Sequence, residues 1–468
     1  MLPPLPAPIP VVILPQPGET VERTATVARE GGFRPGGWTA LVRAAALAVH
    51  LSAAALRFAG RRVVRRGEPR ARVLGRTLAE LFQALGPSYV KLGQLLSTRR
   101  DLLADDTLRP LARLRDKLPP GPFRIVPGLF RAELGVEVGD VFAALDPVPV
   151  ASASIATVYR GRLRDGRVVA VKVRRPGVAR VVRADLRLLR AGARLLSRLP
   201  PLRLVPVQAT VEDFCAALER QLDLRREADA SRRLRAVLAC EPDVVVPALV
   251  DELCGESVLT MEFVDGMRPL DGRGGGEARH ALTAAVRALY RMIFEEGCIH
   301  CDLHQGNLHY LPGGRAVVLD FGFVVEIGDE ARRRFAQFFY AMATNDGERC
   351  ARITRDIALA VPAGLDYRAF RAEVVALVEQ AFRARAGEFR VAEFVGRMFD
   401  LQRRHGLRGS SDFVMPVLSL LVLEGMVLDV DPGLDFQREA RPFVMRAAIP
   451  PYVPRPADTR FTDFAESR

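Results

Sequence analysis

The chain has 468 residues, of which 49% are hydrophobic and 26% charged, the balance of a globular protein of roughly two or three domains rather than a disordered or fibrous one. Six cysteines are too few for a disulfide framework at this length and read as free thiols. The net charge of +13 suits an anionic partner, but only three of the 68 basic residues are lysine (Lys91, Lys117 and Lys172), so arginine bias dilutes that argument and makes each lysine informative.

Residues 1–37 are rich in proline and glycine and read as a disordered arm without the pattern of a secretory signal. Residues 38–120 form a helical extension. Within it Trp38 to Gly60 comes nearest to a membrane span, but Arg43, His50 and Arg57 interrupt it every seven residues. That spacing places the charges on one helix face, which suits lying on an interface better than crossing it. Eight arginines against one acid between Arg57 and Arg76 are consistent with adhesion to anionic lipid, or equally with a solvated helix face.

Residues 121–265 read as a small lobe with inserted helices. Thr157-Val158-Tyr159 and Val168 to Val173, across a turn at Gly166, are strands; 178–236 is helical, and Val244 to Val264 returns to short strands. Residues 266–450 read as a large helical lobe, broken by a loop and hairpin near 300–326, with 451–468 as a tail. Val414 to Val430 is strongly apolar, yet Pro416, Glu424 and Asp429 mark a buried core helix, so no transmembrane span is expected. The expected class is α+β: a bilobal, protein-kinase-like fold with a small β-containing N-lobe, a large helical C-lobe and an N-terminal helical extension.

The chemistry starts at His300-Cys301-Asp302-Leu303-His304-Gln305-Gly306-Asn307. Asp302 can accept a proton from a nucleophile, while Asn307 offers an amide oxygen to a metal. Thirteen residues beyond Asn307, the apolar run Val317-Val318-Leu319 ends in Asp320-Phe321-Gly322. Two hard oxygen ligands on a short hairpin suit Mg²⁺ bridging phosphates. With the upstream Val169-Ala170-Val171-Lys172 strand, the order matches a protein kinase. Lys172 would reach the α- and β-phosphates of ATP, oriented by Glu227. Met261, Glu262 and Val264 stand where a hinge would seat adenine, with Met261 as gatekeeper. Cys298-Ile299-His300-Cys301, with His304 and His309, could be read as a zinc or redox site, but lacks a second ligand pair at metal spacing.

Further motifs resemble the atypical kinases of the UbiB/AarF type, linked to ubiquinone biosynthesis. Lys91-Leu92-Gly93-Gln94, followed by Ser97, Arg99, Asp101 and Leu102, matches the family's KxGQ helix. Pro149 to Ile155, containing Ala151, Ser152, Ala153 and Ser154, matches its alanine-rich nucleotide loop, and the catalytic loop is similar to its HxDxHxGN form. The resemblance spans about residues 80 to 445 and implies that the KxGQ helix folds over the active site. Lys91 and Gln94 would then restrain nucleotide and obstruct a peptide substrate. The family's E-x-D reads Gln221-Leu222-Asp223 here, so one carboxylate is missing.

Asp320 to Ala343 contains no serine or threonine, so an activation loop switched by phosphorylation there is not available. The expected activity is ATP hydrolysis or phosphoryl transfer to a small or lipid-like acceptor, in support of isoprenoid quinone biosynthesis or membrane lipid handling. A nucleotide-gated scaffold and a true protein kinase are the alternatives. Expected partners are ATP with Mg²⁺, isoprenoid quinone precursors or anionic membrane lipid, and a second copy of the chain in a homodimer. The expected location is cytoplasmic, peripheral on the inner face of the membrane. Nucleic acid ranks low because no recognition motif accompanies the charge.

Overall fold

The computed structural model describes residues 37–64, 67–98, 105–111, 114, 122–153, 155–198, 207–383 and 389–448. The arm through residue 36, the tail at 451–468, Ser154 and the side chain of Gln94 lie outside the described residues. The chain forms two compact units, one running to Arg232 and including Pro247–Asp265, the other comprising Arg233–Val246 and the chain from Gly266 onward.

The first unit begins with α1 (Gly37–Val64), α2 (Arg70–Leu85), α3 (Pro87–Thr98) and α4 (Asp105–Leu111). Two short helices, α5 (Val126–Leu134) and α6 (Val138–Val141), lead into β1 (Phe142–Ser152), β2 (Ala156–Leu163) and β3 (Val168–Arg174). Helices α7 (Val178–Leu196), α8 (Val207–Arg220) and α9 (Leu224–Val237) follow; the chain makes β4 (Val244–Val245) in the second unit and returns for β5 (Val258–Glu262). The sheet order is β1-β2-β3-β5, antiparallel throughout. Alternation in β3 buries Val169, Val171 and Val173 on one face, which leaves Lys172 on the other.

The helical extension shares a core with α7, α8 and the β1–β2 turn. Phe82, Leu85, Tyr89, Val90 and Leu92 from α2 and α3 pack with Val182 and Leu186 of α7, with Phe214 and Leu218 of α8, and with Ile155 of the β1–β2 turn. Gly93 of the KxGQ helix is required by that packing. A Cβ there would collide with Leu114 and lie 2.7 Å from the Phe82 ring.

Of the charged row of α1, Arg43 and His50 are half-buried and Arg57 is exposed. Arg43 donates to both carboxylate oxygens of Asp185 on α7, at 2.7 and 2.9 Å, and to the Leu85 carbonyl at 2.8 Å. Arg57 and Arg61 meet Glu80 on α2 at 3.4 and 2.7 Å. Val42, Val49, Leu56 and Val63 are exposed in one row at a seven-residue repeat. The exposed row of α1 therefore includes apolar side chains as well as Arg57, while acids on α7 and α2 hold Arg43 and Arg61.

In the second unit, β6 (Arg268–Pro269) precedes α10 (Gly275–Tyr290), which runs into a single π turn, Arg291–Glu296. Then come β7 (Cys298–His300), β8 (Leu308–Tyr310), β9 (Ala316–Val318) and β10 (Val324–Glu326). A helical body completes the unit: α11 (Asp329–Ala343), α12 (Gly347–Asp356), α13 (Tyr367–Arg383), α14 (Val391–Arg404), α15 (Ser411–Val430) and α16 (Phe436–Ala448). The strands form a β10-β7 pair and a β4-β9-β8-β6 sheet, in which β4 and β9 run parallel. Among the described residues two helices, through Val42–Val63 and Asp412–Val430, are long and apolar enough to cross a membrane. The second is α15, whose Glu424 is buried and accepts the Val391 and Ala392 amides at 2.6 and 2.8 Å, capping α14.

Candidate active site

In the first unit Lys172 and Glu227 meet. The ammonium donates to Glu227 Oε1 at 2.6 Å, with side-chain exposures of 12% and 5%. The pairing requires α9 to be fixed against the sheet. Leu224 and Ala228 of α9 pack on Leu259 of β5, and the Leu224 amide donates to the Glu256 carbonyl at 3.0 Å. Glu227 sits in the first turn of α9, where the helix dipole favours a carboxylate.

The alanine-rich loop is held by a residue that sequence reasoning missed. Arg175 donates through Nε to the Ala153 carbonyl at 2.7 Å and through Nη2 to the Ser152 hydroxyl at 2.6 Å. Its own amide donates to the Ile155 carbonyl at 2.8 Å. Burial lowers the pKa of this guanidinium, yet a guanidinium remains charged in proteins. In a chain this rich in arginine, the motif Lys172-Val173-Arg174-Arg175 gave no sign that one of its cations turns back onto the loop. Ala151 and Ala153 are exposed and Ser152 is half-buried. Lys91, on α3, is half-buried.

At the hinge segment, the Glu262 amide donates to the Ala248 carbonyl at 2.7 Å and the Phe263 amide to Val168 at 3.1 Å. Glu262 is exposed, while Met261 and Val264 are half-buried. Asp223, the surviving acid of the altered E-x-D, accepts from the Arg225 amide and guanidinium at 3.1 and 3.0 Å. Burial raises its pKa, but the bonds from Arg225 outweigh burial and leave it lowered.

In the second unit His300 organises the loop. It is fully buried, accepts the Asp302 amide at Nδ1 at 3.2 Å, and has Nε2 3.2 Å from the Leu319 carbonyl. Those partners require a neutral ring protonated at Nε2, consistent with the lowered pKa that burial imposes. One imidazole thus ties the Asp302 backbone to the residue before Asp320. His304 accepts the Gly306 amide at 2.9 Å, a structural role within the loop.

Asn307 is buried, and its Nδ2 donates to the Asp302 carbonyl at 2.9 Å, which directs the amide nitrogen into the loop. Its carbonyl accepts the Leu319 amide at 2.8 Å, linking the two ligand-bearing segments. Asp320 has φ +56°, in the left-handed region, where Asp and Asn are the best-tolerated non-glycine residues. Its Oδ1 accepts the Gly322 amide at 3.2 Å. A carboxylate and an amide oxygen are the hard donors Mg²⁺ takes, with water and phosphate completing its shell. Among the described residues no cluster of three or more His, Cys, Asp or Glu could hold a metal. Burial pushes the Cys298 and Cys301 thiols up to about 11 and about 12, so both remain protonated at neutral pH.

The segment after Asp320 is short. The Phe323 carbonyl accepts the Cys301 amide at 2.9 Å, β10 pairs with β7, and α11 starts at Asp329. Arg332 of α11 donates to the Glu295 carbonyl of the π turn.

A small antiparallel sheet bearing a buried Lys–Glu pair, together with an Asp–Asn loop and a left-handed Asp before a glycine turn, defines a protein-kinase-like enzyme of the phosphotransferase type. The chain belongs to the ABC1 atypical kinase-like family, whose domain model matches residues 113–354. It is similar to the "Probable protein kinase UbiB" of Marinobacter nauticus, 32% identical over 390 residues, covering 81% of this chain and 71% of that protein. The protein of the same name from Aeromonas hydrophila is 31% identical over 374 residues, covering 78% and 68%. That from Pseudomonas aeruginosa is 32% identical over 382 residues, covering 80% and 71%. The fold is also similar to that of Rv3197 from Mycobacterium tuberculosis, solved with erythromycin. The TM-score is 0.51 at 22% identity, over 76% of this chain and 90% of that one.

Proposed function

We propose that the chain is an atypical kinase or ATPase that binds Mg-ATP and supports isoprenoid quinone biosynthesis or membrane lipid handling. The transferred phosphoryl group would pass to water or to a small or lipid-like acceptor. The observation that carries the reading is the Lys172–Glu227 pair at 2.6 Å, because a lysine held by a buried glutamate is preorganised for the α- and β-phosphates. Asn307 and Asp320 would hold Mg²⁺, which neutralises charge on the phosphates when bound. Asp302, whose side chain is 43% exposed, would accept the proton of the attacking hydroxyl or water. Met261, Glu262 and Val264 would seat adenine, and Ala151 to Ser154, Lys91 and Gln94 would restrain the nucleotide.

Two observations favour a small acceptor or water over a peptide. Only eight residues separate Asp320 from the start of α11, which leaves little platform for a substrate chain. The KxGQ helix shares a packed core with Ile155 of the nucleotide loop, which places the extension against that loop. The names of the UbiB relatives support the link to quinone biosynthesis.

The test is Mg-dependent ADP release by the purified chain, with and without anionic vesicles and a quinone precursor, against Lys172→Met and Glu227→Gln. Each substitution is expected to lower turnover by about 100-fold, a loss of roughly 2.7 kcal/mol of transition-state stabilisation. Wild-type turnover in both variants overturns the proposal. Mg-ATP binding without turnover in the wild type assigns the chain to the scaffold reading.

A further inference from the structure

The second unit contains a cavity of about 530 Å³ that none of the phosphate-handling residues line. Residues of α11, α13, α14, α15 and α16 surround it. Much of its wall is aromatic, with Phe339, Phe382, Phe389 and Phe436 contributing rings. At its edge Phe382 is 55% and Met445 45% exposed, so the apolar lining continues out to solvent. A concave apolar surface of this volume that reaches water fits a small-molecule site.

Charge narrows the occupant. Arg438 and Arg441, both exposed and near the start of α16, line the same cavity. Among the described residues neither has an acidic partner, whereas other cations of this region do: Arg287 meets Glu439 and Arg446 meets Glu295, each at 2.6 Å. The one acid in the lining is Asp435, whose carboxylate accepts the Arg438 backbone amide at 3.0 Å and caps α16. Two guanidiniums beside an aromatic wall match an anionic head joined to an apolar body. At ~30 Å³ per water-sized group, the cavity takes roughly 18 non-hydrogen atoms.

We infer that this cavity binds an amphipathic carboxylate, with its head on Arg438 and Arg441 and its apolar chain against Phe339, Phe389 and Phe436. The site is separate from nucleotide chemistry and does not depend on the assignment of Lys172 or Asp320. The ligand chemistry is that of a long-chain organic acid, which reaches the cavity either free in solution or from a membrane.

The full chain is titrated with cis-parinaric acid, a fluorescent polyene carboxylate, and with its methyl ester. The acid is expected to bind saturably and at least tenfold tighter than the ester. The double variant Arg438→Ala/Arg441→Ala should bind the acid about tenfold more weakly and no longer separate it from the ester. Ala343→Trp, at an exposed lining position, should exclude both probes; circular dichroism checks the fold of each variant. Displacement by soluble oleate identifies a free acid as the source, and displacement only by vesicles containing oleate identifies a membrane source. Equal affinity of the wild type for acid and ester overturns the inference, as does unchanged acid binding in the folded arginine variant or in Ala343→Trp.

Discussion

The Arg175 guanidinium lies 2.6 Å from the Ser152 hydroxyl and so anchors the loop that stands where other kinases have glycines. A charged donor, together with its bond to the Ala153 carbonyl, holds in one shape a segment that would otherwise lose entropy on meeting a phosphate. Arg175→Ala is expected to weaken nucleotide binding by about tenfold, in line with the ~1.5–3 kcal/mol of a charge-assisted hydrogen bond after discounting for partial exposure. Fluorescent-nucleotide titration checks this, and an unchanged Kd shows that the loop is held without the arginine.

Asp320 combines a left-handed backbone with a carboxylate aimed at its own turn. Asn tolerates that backbone, whereas Ala adds left-handed strain of about 1–2 kcal/mol. Asp320→Asn should therefore melt like the wild type but lose Mg-dependent nucleotide binding or turnover, while Asp320→Ala loses binding and melts lower. Thermal scans beside nucleotide titrations separate the two effects. Unchanged ATPase in Asp320→Asn would remove this residue from the metal site.

His300 is neutral and buried, and its pKa is lowered in the folded chain. The unfolded chain, whose histidine titrates near ~6.5, then binds the extra proton first as pH falls. Stability is full above that value and declines as pH drops below it, toward the lower folded pKa. His309 shifts in the same direction, so part of the slope persists without His300. Melting temperatures of wild type and His300→Asn at pH 7.5 and 5.5 should show a smaller acid-induced drop in the variant. Equal drops would mean that the imidazole does not carry this linkage.

Gly93 is the KxGQ residue whose role is steric. Gly93→Ala places a Cβ against Leu114 and the Phe82 ring, and overpacking of this kind costs ~1–3 kcal/mol. A lowered melting temperature is expected, with increased proteolysis of the helical extension. A variant as stable as the wild type would show that Leu114 and Phe82 yield without cost.

Local motifs were legible in the sequence because their chemistry lies within a few residues. Asp302 and Asn307 share one loop, Asp320 and Gly322 one turn, and the alternation of β3 sends Lys172 away from Val169, Val171 and Val173 whatever the rest of the chain does. The alternation also distinguishes the small sheet from the helical body. Contacts between segments distant in sequence were not legible. Of the many arginines, nothing in the order of residues singled out Arg175 as the one that returns to Ser152.

For the same reason the orientation of α1 was not legible. An arginine row and an apolar row both repeat every seven residues along that helix, so periodicity supports either orientation. The sequence by itself determined the kinase-like motifs and the alternation that separates Lys172 from the buried valines of β3. Only the tertiary structure decided which face of α1 turns inward, because Asp185 and Glu80 become neighbours of Arg43 and Arg61 only after α2 and α7 have packed. It likewise decided which buried imidazole joins Asp302 to Leu319, since one-residue periodicities carry no information about partners brought together by folding.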